Sequence, residues 1–266
     1  MTIALIDNGS LEPAAHRNLR AVAAALSERA GVPVAAVSWK HSDRIPARDL
    51  GGAPAWTLGP WVRAQKAGGR REFLFVPFFI SAQGAIGSAL RRDLEKLSAE
   101  AGGFDFSFTP GLADSLGAIV VERVRDTIAA CGLDRPPVIV VDHGGPSRAS
   151  AELRNAVAAE LRGALGPRAG RVAPASMESP DGPEYAFNRP LLSEQLAAPG
   201  NNRGDVVLAL LFLSPGRHAG PDGDIARIVR EAETRSPGLR CRLSGLVGTH
   251  PLAIETLARQ LHPSLA

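Results

Sequence analysis

Two histidines and one glutamate in the second half of the chain stand where predicted β-strands end. They are His143, Glu178 and His218. The carboxyl ends of parallel strands meet at one edge of a sheet, so these side chains can converge although they are far apart in sequence. Two neutral imidazoles suit a borderline divalent cation such as Fe²⁺, Co²⁺, Ni²⁺ or Zn²⁺, and a carboxylate can bind the same ion or accept a proton. The three residues are therefore predicted to be both metal ligands and catalytic groups.

The segment around His218 carries the strongest local pattern. An apolar run ends in a Ser-Pro-Gly break and continues into a glycine-rich loop. Glycines near His218 are expected to let a ligand approach the backbone closely. Asp224 then precedes a helical pattern that begins at Ile225, and its side chain is predicted to cap the first turn.

Strands and helices alternate along the whole chain. The predicted strands are Ile3–Ile6, Val34–Ser38, Phe73–Ile80, Phe104–Phe108, Val138–Val141, Arg171–Ala175, Val206–Leu213 and Arg240–Ser244. The segments between them include helical faces with apolar residues at three- and four-residue spacing. This alternation predicts an α/β protein with parallel sheets.

The two halves of the chain resemble each other at a nearly constant offset. Residues 6–9 (Ile-Asp-Asn-Gly) match residues 141–144 (Val-Asp-His-Gly), and residues 79–81 (Phe-Ile-Ser) match residues 212–214 (Phe-Leu-Ser). Such a repeat indicates an internal duplication. We therefore expect two similar domains, residues 1–134 and 135–266, each with a four-stranded parallel sheet flanked by helices and both facing a central cleft.

The repeat differs at the positions that carry the chemistry. Asn8, Lys40 and Ala85 stand in the first half where the second half has His143, Glu178 and His218. The pattern indicates one active site and one site that has lost its metal-binding groups. A lysine repels a metal ion and attracts an acidic ligand, so Lys40 is expected to face substrate carboxylates.

Composition excludes several functional classes. The chain has 266 residues, 45% of them hydrophobic and 21% charged, as is typical of a globular protein. Scattered basic residues and only 5% aromatics argue against nucleic-acid binding. Without a leader or a membrane-length apolar run, a cytoplasmic location with no membrane partner is expected.

Two distant cysteines predict neither a disulfide framework nor a structural zinc site. Only three of the 30 Lys and Arg residues are lysines, and arginine is well suited to an acidic ligand.

Four segments resemble one enzyme family. They are Asp142-His143-Gly144, Ser176-Met177-Glu178 with Pro190 downstream, residues 211–218 (LFLSPGRH) ending near Asp224, and residues 246–252 (LVGTHPL). Together they are similar to the class II tetrapyrrole chelatases, and most of all to the sirohydrochlorin chelatase (CbiX-like) group in its long two-repeat form.

The resemblance implies insertion of a metal ion into sirohydrochlorin without nucleotide hydrolysis. The family's site histidines fall on His143 and His218, and its carboxylate falls on Glu178. The chain lacks the histidine-rich tail and the cysteine motif of some cobalt-pathway members, which favours Fe²⁺ and sirohaem over Co²⁺ and cobalamin. No cofactor beyond the substrate metal is implied, and internal duplication favours a monomer. Residues expected to contact substrate are Gly144, Ser214, Gly216, Arg217 and Lys40.

Two other functions are compatible with parts of the sequence. A tetrapyrrole or metal carrier would need the histidines but would have no use for Glu178. The run His143-Gly144-Gly145 is similar to the oxyanion motif of α/β-hydrolases, but no G-x-S-x-G nucleophile motif occurs in the chain.

Overall fold

The structure is a computed structural model that describes residues 1–80 and 85–265, without the side chains of residues 85–87, 264 and 265. Its strands are β1 (Thr2–Asp7), β2 (Val34–Ser38), β3 (Trp56–Thr57), β4 (Glu72–Pro77), β5 (Asp105–Phe108), β6 (Val138–Asp142), β7 (Val172–Ser176), β8 (Gly204–Leu210) and β9 (Leu239–Leu243). Its helices are α1 (Pro13–Ala30), α2 (Leu58–Ala67), α3 (Ala85–Glu100), α4 (Leu116–Ala130), α5 (Arg148–Leu165), α6 (Leu192–Ala197), α7 (Asp224–Arg235) and α8 (Pro251–Leu265).

The first unit is built on a parallel sheet of order β3-β2-β1-β4-β5. Its core is rich in aromatic side chains. Trp61 on α2 packs edge-on against Phe73, with ring centroids 5.7 Å apart, and Phe104 packs against the same ring at 5.2 Å. Edge-to-face pairs at these separations add to the stabilisation that comes from burial alone.

The second unit is built on a parallel sheet of order β7-β6-β8-β9. Its core is aliphatic, with Ile139, Val141, Leu208 and Ile225 fully buried. Every residue of β6 is buried, as expected of a β-branched run in the interior of a parallel sheet.

The predicted α/β class with two parallel sheets is confirmed, and both sheets place their shared strands in the same order. The first sheet has a fifth strand, β3, which was not predicted. Two strands are shorter than predicted, because Phe78–Ile80 and Leu211–Leu213 lie beyond the sheet ladders. Their apolar character reflects burial at the end of the sheet, where Phe212 packs against the core.

The compact units do not follow the predicted boundary between residues 134 and 135. One unit comprises Met1–Ala113 and Gly248–Ala266, and the other comprises Asp114–Val247. Helix α8 returns to the first unit, where it packs on α1 and Gln260 exchanges two hydrogen bonds with the backbone of Gly111. Helix α4 packs on α5 and β8 of the second unit.

None of the helices in the described ranges is both long and apolar enough to cross a membrane. Cys131 and Cys241 are free thiols, the first exposed and the second partly buried.

Candidate metal-handling site

The sheet of the second unit brings His143 and Glu178 side by side. Asp142 pairs with Ser176 at the last position of the β6–β7 ladder. The pairing then continues by two bonds: the Met177 amide donates to the Asp142 carbonyl at 2.8 Å, and the Glu178 amide donates to the His143 carbonyl at 3.1 Å. The two side chains therefore leave the same edge of the sheet, with His143 Nε2 3.4 Å from Glu178 Oε1.

Gly144 makes this close approach possible. Its φ is +82°, and a Cβ at this position would lie 1.9 Å from the Glu178 carbonyl oxygen. Only glycine fits both the conformation and the contact. The missing side chain of Gly144 accommodates the backbone of Glu178, and its contact with substrate stays a prediction.

The local backbone determines which nitrogen of His143 carries the proton. Nδ1 lies 2.6 Å from the Gly144 carbonyl oxygen, which can only accept, so Nδ1 is the donor. In the neutral ring, Nε2 then carries no proton, and its lone pair faces the Glu178 carboxylate, with Oε1 3.4 Å away. Two acceptors in contact are unfavourable unless a cation, either a proton or a metal ion, lies between them. The pair is thus arranged to receive a cation.

His218 joins the pair from the loop after β8. Its ring lies against that of His143, with centroids 4.4 Å apart and planes inclined by 78°. Its Nδ1 lies 2.8 Å from Asp224 Oδ2, so a donor Nδ1 leaves Nε2 available as a ligand. The hydrogen bond from His218 lowers the pKa of the Asp224 carboxyl.

The structure therefore brings together all three residues predicted for the site. Their side chains remain accessible, at 45% for His143, 58% for Glu178 and 31% for His218. Within residues 1–80 and 85–265, no three His, Cys, Asp or Glu side chains are already arranged as a group that could hold a metal ion.

The His218 loop is closed by bonds within itself. The Asp224 and Ile225 amides donate to the carbonyls of Arg217 and His218, and the Gly220 amide donates to Gly216. A Cβ on Gly220 would lie 2.6 Å from the Gly216 carbonyl oxygen. This contact requires glycine at position 220, and the approach of a ligand to the loop stays a prediction.

Asp224 has a different role from the one predicted. It is the first residue of α7, Gly223 occupies the N-cap position, and no side-chain cap bond is formed. The carboxylate is instead directed to His218 and to the guanidinium groups of Arg217, at 3.8 Å, and Arg227, at 3.5 Å. His218 and Asp224 are six residues apart, a spacing that fits no regular helix or strand contact. The pair could therefore not be predicted from the sequence, because only the closed loop brings the two side chains together.

The other residues predicted to contact substrate lie in different settings. Arg217 is 80% exposed, and Ser214 and Gly216 are partly buried in the same loop. In the first unit, Lys40 Nζ lies 3.5 Å from Asp93 and 3.9 Å from the centre of the Trp39 ring.

The strand ends of the first unit repeat the same backbone. The Lys40 amide donates to the Asn8 carbonyl at 3.2 Å, and a Cβ on Gly9 would lie 1.7 Å from the Lys40 carbonyl oxygen. Asn8 and Lys40 thus occupy the places that His143 and Glu178 hold in the second unit. The comparison of Ala85 with His218 lies outside the described side chains.

Next to these strand ends, the first unit carries a buried histidine and a partly buried aspartate. His16 is 1% exposed, and its Nδ1 lies 3.3 Å from Ser38 Oγ. Its Nε2 has no hydrogen-bond partner among the described residues. Burial lowers the pKa of His16 to about 4. Burial also raises the pKa of Asp7 to about 6, although a hydrogen bond from Ser38 to the Asp7 carboxyl acts in the opposite direction.

The second unit carries an arginine among the corresponding groups, which the sequence analysis missed. Arg154 on α5 is 1% exposed and donates to Asp142 and Ser176. One signal was present in the sequence: Arg154 lies on the buried stripe of an amphipathic helix, with Ala151 and Val157. A charge on such a stripe requires a buried partner.

One protein-family model matches the second half of the chain. The CbiX family model matches residues 137–264, which confirms for this part of the chain the resemblance inferred from the motifs. No match is found among curated protein sequences.

Solved structures share the fold of the whole chain. SirB from Bacillus subtilis with Fe³⁺ is 16% identical, with a TM-score of 0.67 over 100% of this chain and 96% of that one. The sirohydrochlorin chelatase SirB from B. subtilis subspecies spizizenii, in complex with cobalt, is 16% identical, with a TM-score of 0.65 over 99% and 95%. CbiX, described as the terminal enzyme for biosynthesis of siroheme in denitrifying bacteria, is 18% identical, with a TM-score of 0.63 over 100% of both chains.

Proposed function

We propose, from the CbiX match of residues 137–264 and the geometry of the second unit, that this chain inserts a divalent metal ion into sirohydrochlorin. The observation that carries the proposal is the contact of His143 Nε2 with Glu178 Oε1 at 3.4 Å, beside the ring of His218. Because the Gly144 carbonyl holds the proton on Nδ1, this contact needs a cation to become favourable.

The chemistry requires little else from the protein. The macrocycle supplies four nitrogen ligands, and its two pyrrole N–H groups must release two protons as the metal enters. Nε2 of His143 and of His218 holds the incoming ion, and Glu178 accepts the two pyrrole protons one after the other and passes each to solvent. The exposed Arg217 pairs with a carboxylate of the substrate.

Glu178 favours an enzyme over a carrier. A carrier that only binds metal or tetrapyrrole needs ligands, whereas an insertion reaction also needs a proton acceptor close to the metal. The carboxylate at 3.4 Å from a metal-binding imidazole provides one.

Iron is the proposed physiological metal and sirohaem the proposed product. Support comes from the two cysteines, Cys131 and Cys241, which form no motif of the kind found in some cobalt-pathway members. Cobalt insertion is the alternative, and both metals are within the range that two imidazoles and a carboxylate bind well.

The direct test is an anaerobic insertion assay with sirohydrochlorin and either Fe²⁺ or Co²⁺, without nucleotide. Absorbance of the metallated ring is followed against the rate without protein. We expect acceleration with both ions and a higher kcat/KM with Fe²⁺. Tight binding of sirohydrochlorin without acceleration would show a carrier, and a higher kcat/KM with Co²⁺ would assign the chain to cobalt.

A further inference from the structure

Arg154 forms a fully bonded buried network directly beneath the candidate site. All five of its N–H groups have acceptors: Asp142 Oδ1 at 3.3 Å, Ser176 Oγ, the Phe187 carbonyl at 3.0 Å, and Asn155 Oδ1 twice, at 3.1 and 3.0 Å. The Ser176 hydroxyl in turn donates to Asp142 at 2.7 Å. A guanidinium that is 1% exposed and completely satisfied holds its partners in one geometry.

The partners of Arg154 are the residues that immediately support the site. Asp142 precedes His143, and Ser176 lies two residues before Glu178. These two residues are register partners at the ends of β6 and β7. Arg154 therefore joins the two strand ends from which the reactive side chains project.

A third arm of the network reaches the His143 loop. The Phe187 carbonyl that Arg154 holds is followed by the buried Asn188. The side-chain Nδ2 of Asn188 donates to the Gly145 carbonyl at 2.9 Å, and its Oδ1 accepts from the Gly145 backbone amide at 3.3 Å. Arg154 is thus connected to both sides of His143.

The first unit has the same strand ends without the cation. There the buried group beside Ser38 is His16, which its lowered pKa keeps neutral at physiological pH. The unit with the arginine network is also the unit whose strand ends carry a histidine and a glutamate.

We propose that Arg154 is a positioning residue for metal insertion, an inference that rests on the function proposed above. It touches no reacting atom. Through Asp142 and Ser176 it holds the metal-binding Nε2 of His143 beside the proton-accepting Oε1 of Glu178, 3.4 Å away. Loss of such supporting contacts weakens metal binding by about tenfold to a hundredfold at sites of this kind.

The test uses the double variant Asp142→Asn/Arg154→Met. The single variant Arg154→Met would leave the Asp142 carboxylate buried without a partner, and its instability would hide any effect on the site. The double variant removes both charges together, so the fold is retained while the connection between the strands is lost. Arg154→Lys keeps the charge but not the five-bond geometry, and it serves as a second variant.

Arg162→Met is the matched control. Arg162 lies on the same helix and donates to the Val172 carbonyl, at the opposite end of β7. It contributes to the same packing but has no connection with the strand ends.

Two readouts are used. Long-range ¹H–¹⁵N spectra of the metal-free protein report the tautomer of His143, and titration with Co²⁺ alone reports metal affinity. We expect the Nδ1–H tautomer in the wild type and in Arg162→Met, and a mixture in the double variant and in Arg154→Lys. Co²⁺ affinity should fall about tenfold to a hundredfold in the double variant and less in Arg154→Lys.

Unchanged tautomer and unchanged Co²⁺ affinity in a folded double variant would overturn the proposal. So would an equal loss in Arg162→Met, because the effect would then be one of general stability. If the wild type binds no Co²⁺, the proposed function fails, and the spectra of the metal-free protein still decide whether Arg154 positions His143.

Discussion

The two repeats of this chain end their first and second strands on the same backbone but with different side chains. In both, a glycine with positive φ lies against the carbonyl of a residue in the neighbouring loop, Lys40 in one and Glu178 in the other. The second repeat places a histidine and a glutamate there, above a buried arginine. The first places an asparagine and a lysine there, above a neutral histidine. The shared backbone therefore does not distinguish the two repeats; the side chains and the buried group beneath them do.

The largest effect on activity is expected from removal of a histidine of the second repeat. His143→Ala or His218→Ala should abolish insertion of Fe²⁺ and Co²⁺ into sirohydrochlorin, because each removes one of the two imidazole ligands. The measurement is the absorbance of the metallated product. His262→Ala, which removes an exposed histidine of the first unit, is the control and should retain full activity.

Full insertion rates in His218→Ala with both metals would remove this histidine from the site. The comparison between repeats would then rest on His143 and Glu178 alone.

The next effect concerns proton transfer. Glu178→Gln should slow insertion by about a hundredfold, the lower part of the range for loss of a general base, with little change in metal affinity. Single-turnover rates and Co²⁺ titration separate the two quantities. Glu184→Gln, at an exposed position in the following loop, is the control. A variant that binds metal poorly but inserts it at the normal rate would show that Glu178 is a ligand and not a proton acceptor.

A third prediction uses Asp7 and His16 of the first unit. The raised pKa of Asp7, about 6, gives stability that is complete below pH 3.8 and is lost as pH rises through 6. The lowered pKa of His16, about 4, gives stability that is complete above pH 6.5 and is lost as pH falls through 4. Each shift corresponds to roughly 3 kcal/mol, with opposite sign. The free energy of unfolding of the wild type should therefore change little between pH 4 and 6 from these two groups.

Asp7→Asn should expose the dependence on His16, so that stability rises by roughly 3 kcal/mol from pH 4 to 6.5. All three tryptophans, Trp39, Trp56 and Trp61, lie in the first unit, so urea unfolding followed by tryptophan fluorescence reports on this unit. Asp105→Asn, at an exposed position of the same unit, is the control. If the free energy of unfolding of Asp7→Asn depends on pH in the same way as that of the wild type, the shifted pKa values of Asp7 and His16 are contradicted.

The smallest expected effect is that of Lys40. If the first repeat attracts the acidic substrate, Lys40→Ala should raise the KM for sirohydrochlorin by about fivefold or less and leave metal dependence unchanged, because exposed ion pairs contribute only about 0.2–1 kcal/mol. Its half-exposed pairing with Asp93 leaves the ammonium accessible. Lys96→Ala, at an exposed pair with Glu100, is the control. An unchanged KM would give the first repeat another role.

Much of this arrangement follows from patterns that the sequence contains. Apolar runs separated by helical periodicity predicted the strands, and polar residues at their ends predicted which side chains would meet. His143, Glu178 and His218 could be grouped in this way because parallel strands end at a common edge. The repeat was visible because strand ends keep their spacing even where side chains differ.

Other features depend on contacts that no local pattern records. Strand β3 has two residues, too few for a periodicity. An aspartate at a helix start predicts a cap, whereas the closed loop directs Asp224 to His218. The exchange of α4 and α8 between units depends on which apolar surface each helix meets. Arg154 was missed because arginine is usually exposed, and only the structure shows its five acceptors.

The most direct test of the central claim is the stoichiometry of metal binding. Titration of the metal-free chain with Co²⁺, monitored by calorimetry and by visible absorption, should give one bound ion per chain. That ion should be lost in the double variant His143→Ala/His218→Ala, with the first repeat intact. Two bound ions per chain, or one that persists in the double variant, would contradict the account of one repeat that handles metal and one that does not.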